Sequence, residues 1–347
     1  MIPNSTLIEK LKEEKELWDL FTKKEEYNPP ILDEYERFPY YLSSSRDIFE
    51  PKVSKYLIEN GFKPEYPDGK EFAVCLTHDI DVIKESNFRY ALNSFRAVTK
   101  GNIKEALRNF TYAINKRSHP YWNFREIIKL EEQYGATSSF YFLALEPGEQ
   151  NYDYDLQTLR DDIRYIDARG WEVGLHGGHR SYNNYEDLYK KKEKLEAVLG
   201  KNIIGYRNHY LRFRTPETWE LLSKAGFKYD TTFGYNDCAG FRNGMCHPFR
   251  PINLKTGKEI DIVEIPLTIM DCTLLRDYMR LDFNGSWEIT KKLIDSVAKY
   301  NGVITILWHN TYMLDENLEF YKKILNYCYE KDAWMASGKD MTEWWEQ

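Results

Sequence analysis

Residues 72–81, FAVCLTHDID, are the stretch that decides the fold class. Residues 72–76 form a short apolar run, and the chain leaves this run directly into a polar segment that contains Asp79 and Asp81. A short apolar run of this kind is typical of a buried strand. On an extended chain, side chains two positions apart point to the same side. The stretch therefore predicts a buried strand that ends in two carboxylates on one side.

The same pattern repeats along the chain, where short apolar runs alternate with amphipathic stretches of helical period. The strand-like runs are residues 72–76, 138–143, 172–175, 203–206, 260–265, 265–270 and 303–308, and the helical stretches are residues 122–134, 156–169, 185–199, 216–225, 287–300 and 318–331. Repeated strand and helix units are typical of parallel β/α architecture, and closing them predicts a barrel-like α/β fold. In such folds the chemistry lies on the loops that follow the strands.

Residues 1–70 have a different composition and are predicted to form an accessory segment, mainly helical, ahead of a barrel domain at 71–347. The segment begins with one amphipathic helix, whose apolar face comprises Leu7, Ile8, Leu11, Trp18 and Phe21. Residues 22–70 are rich in tyrosine, proline and charge and predict a packed but irregular lead-in.

Composition excludes several classes of protein. With 347 residues, a formal net charge of −7 and no basic block, nucleic acid is not expected as a partner. The odd number of widely spaced cysteines indicates a reducing compartment and no thiolate zinc site; they are Cys75, Cys238, Cys246, Cys272 and Cys328. No apolar run approaches the ~20 residues that cross a bilayer, and no export signal is visible, so a cytoplasmic protein without a membrane span is expected.

Polar side chains follow four of the predicted strands. They are Asp79 and Asp81 after the first strand, His176 and His179 after residues 172–175, Arg207 and His209 after residues 203–206, and His309 after residues 303–308. Taken singly, each has a structural alternative: a turn-capping Asp, a loop histidine, an ion-paired Arg or a hydrogen-bonded rim histidine. Taken together, they favour a site, because one Asp and two His with an open position suit a catalytic divalent ion such as zinc.

Four of these segments resemble the motifs of the polysaccharide deacetylases of the NodB-homology type, carbohydrate esterase family 4. The matching segments are LTHDID at 76–81, GWEVGLH at 170–176, GYR at 205–207 and ILWHN at 306–310. The resemblance extends over about residues 72–346 and leaves residues 83–121 as an insertion. It implies a distorted (β/α) barrel and a metal-dependent hydrolase that removes an N-acetyl group from a sugar or polysaccharide, such as one related to a surface polysaccharide.

The resemblance also implies roles for individual residues. Asp79 is the expected base, Asp81 and His176 are expected metal ligands, Arg207 orients the base, and His309 is the expected acid. The family's second histidine lies four positions after the first, where this chain has Arg180. His179 is the first choice for the third ligand, since two glycines precede it, and His209 is the second. A weakly held or absent metal is the third possibility.

Further residues are expected near the substrate. The candidates are His209, Tyr210, Arg212, Arg242 and Asp271, with Tyr182 and Tyr235 as added aromatic candidates; Asp271 is also a candidate partner of His309. Residues 238–251 are predicted either to line the cleft or to form a structural excursion. Residues 1–70 and 83–121 are expected to narrow the cleft or to bind a partner.

Three functions remain open from the sequence. The first is an N-deacetylase that acts on a saccharide. The second is an amide or imide hydrolase of the same fold, resembling allantoinases, that acts on a small metabolite. The third is a saccharide-binding relative without metal or catalysis.

Overall fold

The computed structural model describes residues 5–347, which contain twelve α-helices and eleven strands. The strands, β1 to β11, are Ala73–Ile80, Ser139–Leu143, Glu172–Gly177, Gly205–Asn208, Tyr229–Asp230, Ile252–Asn253, Lys258–Glu259, Val263–Glu264, Leu267–Met270, Val303–Leu307 and Trp334–Ala336. The helices, α1 to α12, are Ser5–Glu13, Lys15–Phe21, Lys52–Glu59, Asn87–Thr99, Ile103–Ile114, Phe124–Glu132, Arg160–Ala168, Tyr185–Leu199, Glu217–Lys224, Phe283–Lys299, Asp315–Glu330 and Gly338–Trp345.

The core of the protein is a parallel sheet that curls into part of a barrel. Its order is β8-β5-β4-β3-β2-β1-β10-β9, and β11 adds to β1. Every pairing in this sheet is parallel, because helices connect most of the successive strands. The four longest strands on this path, β1, β2, β3 and β10, are buried along their whole length. The predicted (β/α) barrel is confirmed.

The register of the sheet brings the predicted site residues to one edge. Thr77 pairs with Leu307, so Asp79 and His309 each lie two positions beyond this pair. His176 pairs directly with Arg207. Because all these strands run in the same direction, their carboxyl ends form one rim.

The structure differs from the sequence prediction in several elements. The single N-terminal helix is two helices, because Glu14, with φ −88° and ψ 82°, lies outside helical geometry between them. The strand predicted at 260–265 is reduced to the two residues of β8, and the two-residue strand β5 was not predicted at all. Strands this short have no apolar run of their own, so the period of the sequence cannot reveal them.

The N-terminal segment is packed into the barrel. Leu11, Val53 and Leu57 are fully buried in the same apolar cluster as the strands. The guanidinium of Arg242 bonds both carboxylate oxygens of Glu26, at 2.9 and 2.7 Å, and donates to the carbonyl of Gly234 at 2.8 Å. Arg242, which was expected near the substrate, is buried and holds this segment to the barrel.

Residues 238–251 form a structural excursion rather than a wall of the cleft. The carbonyl of Gly244 accepts hydrogen bonds from the amides of Val53 and Ser54 at the start of α3, at 3.0 and 3.1 Å. Gly244 has φ +72°, and a β-carbon there would lie 3.0 Å from the Val53 side chain. Only glycine fits this close approach without strain.

The insertion after β1 is a helical hairpin formed by α4 and α5. Its two ends are fixed to the barrel by Asn310, whose amide donates to the carbonyl of Val82 at 2.8 Å and to that of Tyr121 at 2.7 Å. The helices of residues 5–347 include none that is both long enough and apolar enough to cross a membrane. The five cysteines are all free, and three of them are buried.

Candidate active site

The centre of the site is a cluster of three side chains, Asp81, His176 and His209. The Nε2 atom of His176 lies 3.2 Å from Oδ1 of Asp81 and 3.1 Å from Nδ1 of His209, and the latter lies 3.4 Å from the same Asp81 oxygen. The three potential ligand atoms thus form a nearly equilateral triangle. Both histidines are buried, and Asp81 is the member that faces the opening of the site.

Hydrogen bonds fix which atoms of the cluster face its centre. Nδ1 of His176 donates to the carbonyl of Arg207 at 3.1 Å, so Nε2 carries the lone pair toward the cluster. Nδ1 of His209 faces both Nε2 of His176 and Oδ1 of Asp81, and a single proton on it can form a hydrogen bond with only one of them. Among the described residues, Oδ1 of Asp81 and Nε2 of His209 have no hydrogen-bond partner. Burial, with the neighbouring His176 and His179, lowers the pKa of His209 to about 3, against the opposing charge of Asp81, and keeps its imidazole neutral.

The fold of the chain after β4 is what brings His209 inward. Tyr210 and Leu211 both adopt positive φ, +60° and +53°, in the turn that begins at His209. The side-chain amide of Asn208 donates to the carbonyl of His209 at 2.8 Å and holds the turn. Non-glycine residues rarely adopt this conformation, and no pattern in the sequence indicates it.

His179, the first choice for the third ligand, lies outside the triangle. Its Nε2 donates to the side-chain oxygen of Asn151 at 3.0 Å, and its carbonyl accepts a hydrogen bond from Arg212 at 2.8 Å. The compact group of potential ligands contains His209 instead, which was the second choice. His179 lies at the edge of the site, with its ring 5.7 Å from that of His209.

Asp79 lies between the cluster and a buried arginine. Its Oδ2 is 3.7 Å from Nε2 of His176, and its Oδ1, which has no hydrogen-bond partner in the described chain, is 3.9 Å from Nε of Arg207. Arg207 is fully buried and donates to the hydroxyls of Thr77 at 2.8 Å and Thr231 at 3.2 Å. The two threonines thus hold the guanidinium beside the carboxylate.

A pair of buried carboxyl groups, Asp230 on β5 and Glu264 on β8, lies behind Arg207. Burial raises the pKa of Asp230 to about 6 and that of Glu264 well above its usual range, because two adjacent carboxylates cannot both stay charged away from water. The hydroxyl of Thr232 and the indole of Trp219 donate to the pair. Neither Asp230 nor Glu264 was among the expected site residues, since a carboxyl on a two-residue strand has no distinguishing pattern.

His309 is held by Asp271 on the other side of the cluster. Its Nδ1 lies 2.7 Å from Oδ1 of Asp271, and its backbone amide donates to the other oxygen of that carboxylate. Its Nε2 faces Oδ2 of Asp81 at 3.8 Å. Burial alone would lower the pKa of His309, but Asp271, by its charge and hydrogen bond, and the nearby Asp81 and Asp79 raise it to about 10. Asp271, which directly follows β9, contacts His309, as its candidate role as partner of this histidine requires.

The N-terminal segment supplies one side of the site, which the sequence did not predict in detail. The ring of Tyr35 stacks on that of Tyr210 at 4.5 Å and 10°. Glu36 accepts a hydrogen bond from Tyr182 and forms an ion pair with Arg212 at 3.3 Å. By contrast Tyr235, another cleft candidate, is buried and accepts a hydrogen bond from Lys23 at 2.8 Å.

Comparison with known proteins finds a curated deacetylase that matches part of the chain. The chain is 28% identical over 158 residues to a peptidoglycan deacetylase of Helicobacter pylori, an alignment that includes 40% of this chain. This alignment spans only half the length of that relative. No family model matches the sequence.

Solved structures share the fold at low identity. A putative polysaccharide deacetylase of Mycobacterium smegmatis matches with a TM-score of 0.55 and 17% identity, over 81% of this chain and 92% of its own. A probable polysaccharide deacetylase of Pseudomonas aeruginosa PAO1 matches with a TM-score of 0.56 and 15% identity, over 82% and 95%. The chain therefore shares its fold with these polysaccharide deacetylases. The PuuE allantoinase has the same TM-score of 0.56, at 17% identity over 82% of this chain and 94% of its own, so the deacetylase-like fold alone does not fix the substrate.

Proposed function

We propose that the protein is a metal-dependent amide hydrolase that removes the N-acetyl group from an acetylated amino sugar. The observation that carries this proposal is the arrangement at the rim of the sheet. Asp79, beside Arg207, and His309, beside Asp271, both flank one triangle of potential metal ligands. Amide hydrolysis needs these three parts: a bound ion, a base and an acid.

The cluster fits a divalent ion such as zinc. Ligand atoms at ~2.0–2.1 Å from a tetrahedral zinc ion are about 3.4 Å apart, and the three distances here are 3.1, 3.2 and 3.4 Å. Oδ1 of Asp81 has no hydrogen-bond partner among the described residues, and it would coordinate the ion. Two imidazoles and one carboxylate also leave a fourth position open, as in catalytic sites. When bound, the ion would polarise the amide carbonyl and lower the pKa of a bound water to ~7.

The residues of this chain would then move two protons. Asp79 takes a proton from the attacking water as the new carbon–oxygen bond forms. His309, which its raised pKa keeps protonated at neutral pH, gives a proton to the amide nitrogen as the carbon–nitrogen bond breaks. The products are acetate and a free amine. Arg207, which lies beside Asp79, would keep its carboxylate in place.

Acetate release from N-acetylated oligosaccharides by the zinc-reconstituted chain tests this function. We expect acetate and new amino groups in equal amounts, and loss of both with Asp79→Asn. His179→Gln is the control, because His179 lies on the loop after His176 but outside the triangle of potential ligands. Acetate release at the same rate in Asp79→Asn would contradict the assigned base. Saccharide binding without acetate release would favour a non-catalytic relative.

A small cyclic or linear amide is the second candidate substrate. The stack of Tyr35 on Tyr210 brings the N-terminal segment against the residue that follows His209. This contact narrows the site and therefore favours a small substrate. A panel of small amides and imides, assayed with the same preparation, distinguishes the two. Activity on the panel and none on oligosaccharides would support the second candidate.

A further inference from the structure

The hairpin formed by α4 and α5 exposes an unusual amount of apolar surface. Of the twelve large apolar side chains that are exposed in the described part of the chain, seven lie on these two helices: Phe88, Phe95, Val98, Ile103, Leu107, Phe110 and Ile114. Phe88 is 76% exposed and Phe110 is 61% exposed. Single exposed apolar residues are ordinary, but a cluster of this size on one element indicates a binding surface.

The seven side chains lie on one face of the hairpin. On α5 they follow the helical spacing 103, 107, 110 and 114, and on α4 they occupy 88, 95 and 98. The helices meet through Ser94, whose hydroxyl donates to the carbonyl of Ala106 at 3.4 Å, and through the rings of Tyr90 and Tyr112. On each helix these apolar side chains form one stripe. At about 100° of rotation per residue, each stripe lies roughly a quarter to a third of a turn around its helix axis from the residues that contact the other helix. Because a three-residue connection makes the helices antiparallel, this rotation places both stripes on the same side.

Positive charge borders this apolar face. Residues 84–118 contain eight Lys and Arg against two Glu, a net charge of +6, which leaves −13 on the rest of the chain. This corrects the expectation that the charge is spread without a basic block. Arg89, Arg96, Lys104 and Arg108 are all exposed, and at about 100° per residue they lie beside the apolar stripes. An amphipathic helix with this composition is typical of a segment that lies on an anionic membrane surface.

The hairpin is attached next to the candidate active site. Its first helix begins six residues after Asp81, and both of its ends are bound by Asn310, the neighbour of His309. A surface bound by the hairpin would therefore be held near the rim where the site opens.

We propose that the hairpin of α4 and α5 docks the protein on an anionic lipid surface, with its apolar face in the headgroup region and its basic residues against lipid phosphates. The charge distribution favours this occupant over a second copy of the chain. A symmetric dimer through this face would bring two segments of charge +6 together, whereas anionic lipids neutralise them. The negative charge of the rest of the chain keeps other faces away from the membrane. The proposal does not depend on amide hydrolysis.

Flotation of the full chain with lipid vesicles tests the proposal. We expect at least about tenfold stronger binding to vesicles of equal phosphatidylcholine and phosphatidylglycerol than to phosphatidylcholine alone, and a decline with added salt. The double variant Phe95→Ser/Phe110→Ser removes apolar contacts, and Lys104→Glu/Arg108→Glu reverses charge. Each should lose about tenfold or more of the binding.

The controls are changes of the same kind on other faces. Tyr329→Ser removes an exposed aromatic side chain of α11, and Lys190→Glu reverses an exposed charge of α8. Both should bind vesicles as the unaltered chain does, and all variants should keep its circular dichroism and thermal unfolding. Absence of binding to anionic vesicles would overturn the proposal. So would self-association in sedimentation velocity that Phe95→Ser/Phe110→Ser abolishes, because the face would then bind a second copy or another protein.

Discussion

Two buried clusters of histidine and carboxylate lie on opposite sides of the strand β1, and they differ in how their polar atoms are used. In the first, His78 bonds Glu131 at 2.9 Å, and Tyr321, Ser138 and Trp171 donate to the same carboxylate at 2.7 Å each. The other nitrogen of His78 donates to a backbone carbonyl. In the second, Asp81 Oδ1 and His209 Nε2 are left without a hydrogen bond among the described atoms.

This difference separates a structural cluster from a candidate site. Both clusters contain a histidine next to a strand end, so residue type and position in the sequence cannot distinguish them. Buried polar groups that all have partners stabilise the fold, whereas a buried carboxylate oxygen without a partner, such as Oδ1 of Asp81, is arranged for something that binds. The following predictions test this difference, beginning with the largest expected effect.

Substitution of the proposed base should give the largest effect on activity. We expect Asp79→Asn to lower acetate release by about 10²- to 10⁴-fold, because a general base contributes a rate factor of this size. His309→Gln should lower it by a similar factor through loss of the acid. Both variants should keep the thermal unfolding of the unaltered chain, measured by circular dichroism. A variant that is inactive because it is unfolded would not count as support.

Removal of the carboxylate from the structural cluster should act on stability instead. Glu131→Ala leaves three buried donors, two hydroxyls and an indole, without their acceptor, and we expect it to lower the free energy of unfolding by at least about 3 kcal/mol. In the metal-free protein Asp81→Ala, the matched change in the other cluster, should lower the free energy of unfolding by less than about 1 kcal/mol. Urea unfolding measures both. Equal losses in the two variants would contradict the distinction between the clusters.

Zinc should stabilise the protein only when the second cluster is intact. A ligand at about one hundred times its dissociation constant adds about 2.7 kcal/mol to the free energy of unfolding. We expect zinc to raise the unfolding temperature of the unaltered chain and of Glu131→Gln, but not of Asp81→Asn. A zinc-dependent rise in the unfolding temperature of Asp81→Asn would mean that zinc binds at another site.

The buried carboxyl group of Glu172 belongs to neither cluster, and its raised pKa predicts an effect of pH on stability. Burial raises its pKa to about 6 from 4.5, although hydrogen bonds from Ser139 and Tyr229 oppose this. The folded chain therefore binds more protons than the unfolded chain between these values, and stability falls as the pH rises from 4.5 through 6. The loss amounts to about 2 kcal/mol.

Glu172→Gln should remove this contribution. We expect the difference in unfolding free energy between the variant and the unaltered chain to grow in favour of the variant from pH 4.5 to pH 7.5, measured by urea unfolding at each pH. A difference that does not vary with pH would mean that Glu172 stays charged in the folded chain.

The sequence predicted the long strands and the residues that follow them, since apolar runs such as 72–76 and 303–308 indicate buried strands by themselves. It could not choose between His179 and His209. Spacing and the two glycines favoured His179, but the left-handed turn at Tyr210 brings His209 to Asp81. The pairing of Arg242 with Glu26 joins residues that are 216 positions apart, and no local pattern indicates such a contact.

The measurement that tests the central claim most directly is the zinc content of chelator-stripped protein after reconstitution and removal of free metal, compared between His209→Gln and His179→Gln. Both changes remove one imidazole from the same rim of the barrel, but only the first removes a corner of the triangle. We predict close to one equivalent in the unaltered chain and in His179→Gln, and none in His209→Gln. One equivalent retained by His209→Gln and lost by His179→Gln would contradict the assigned ligand set.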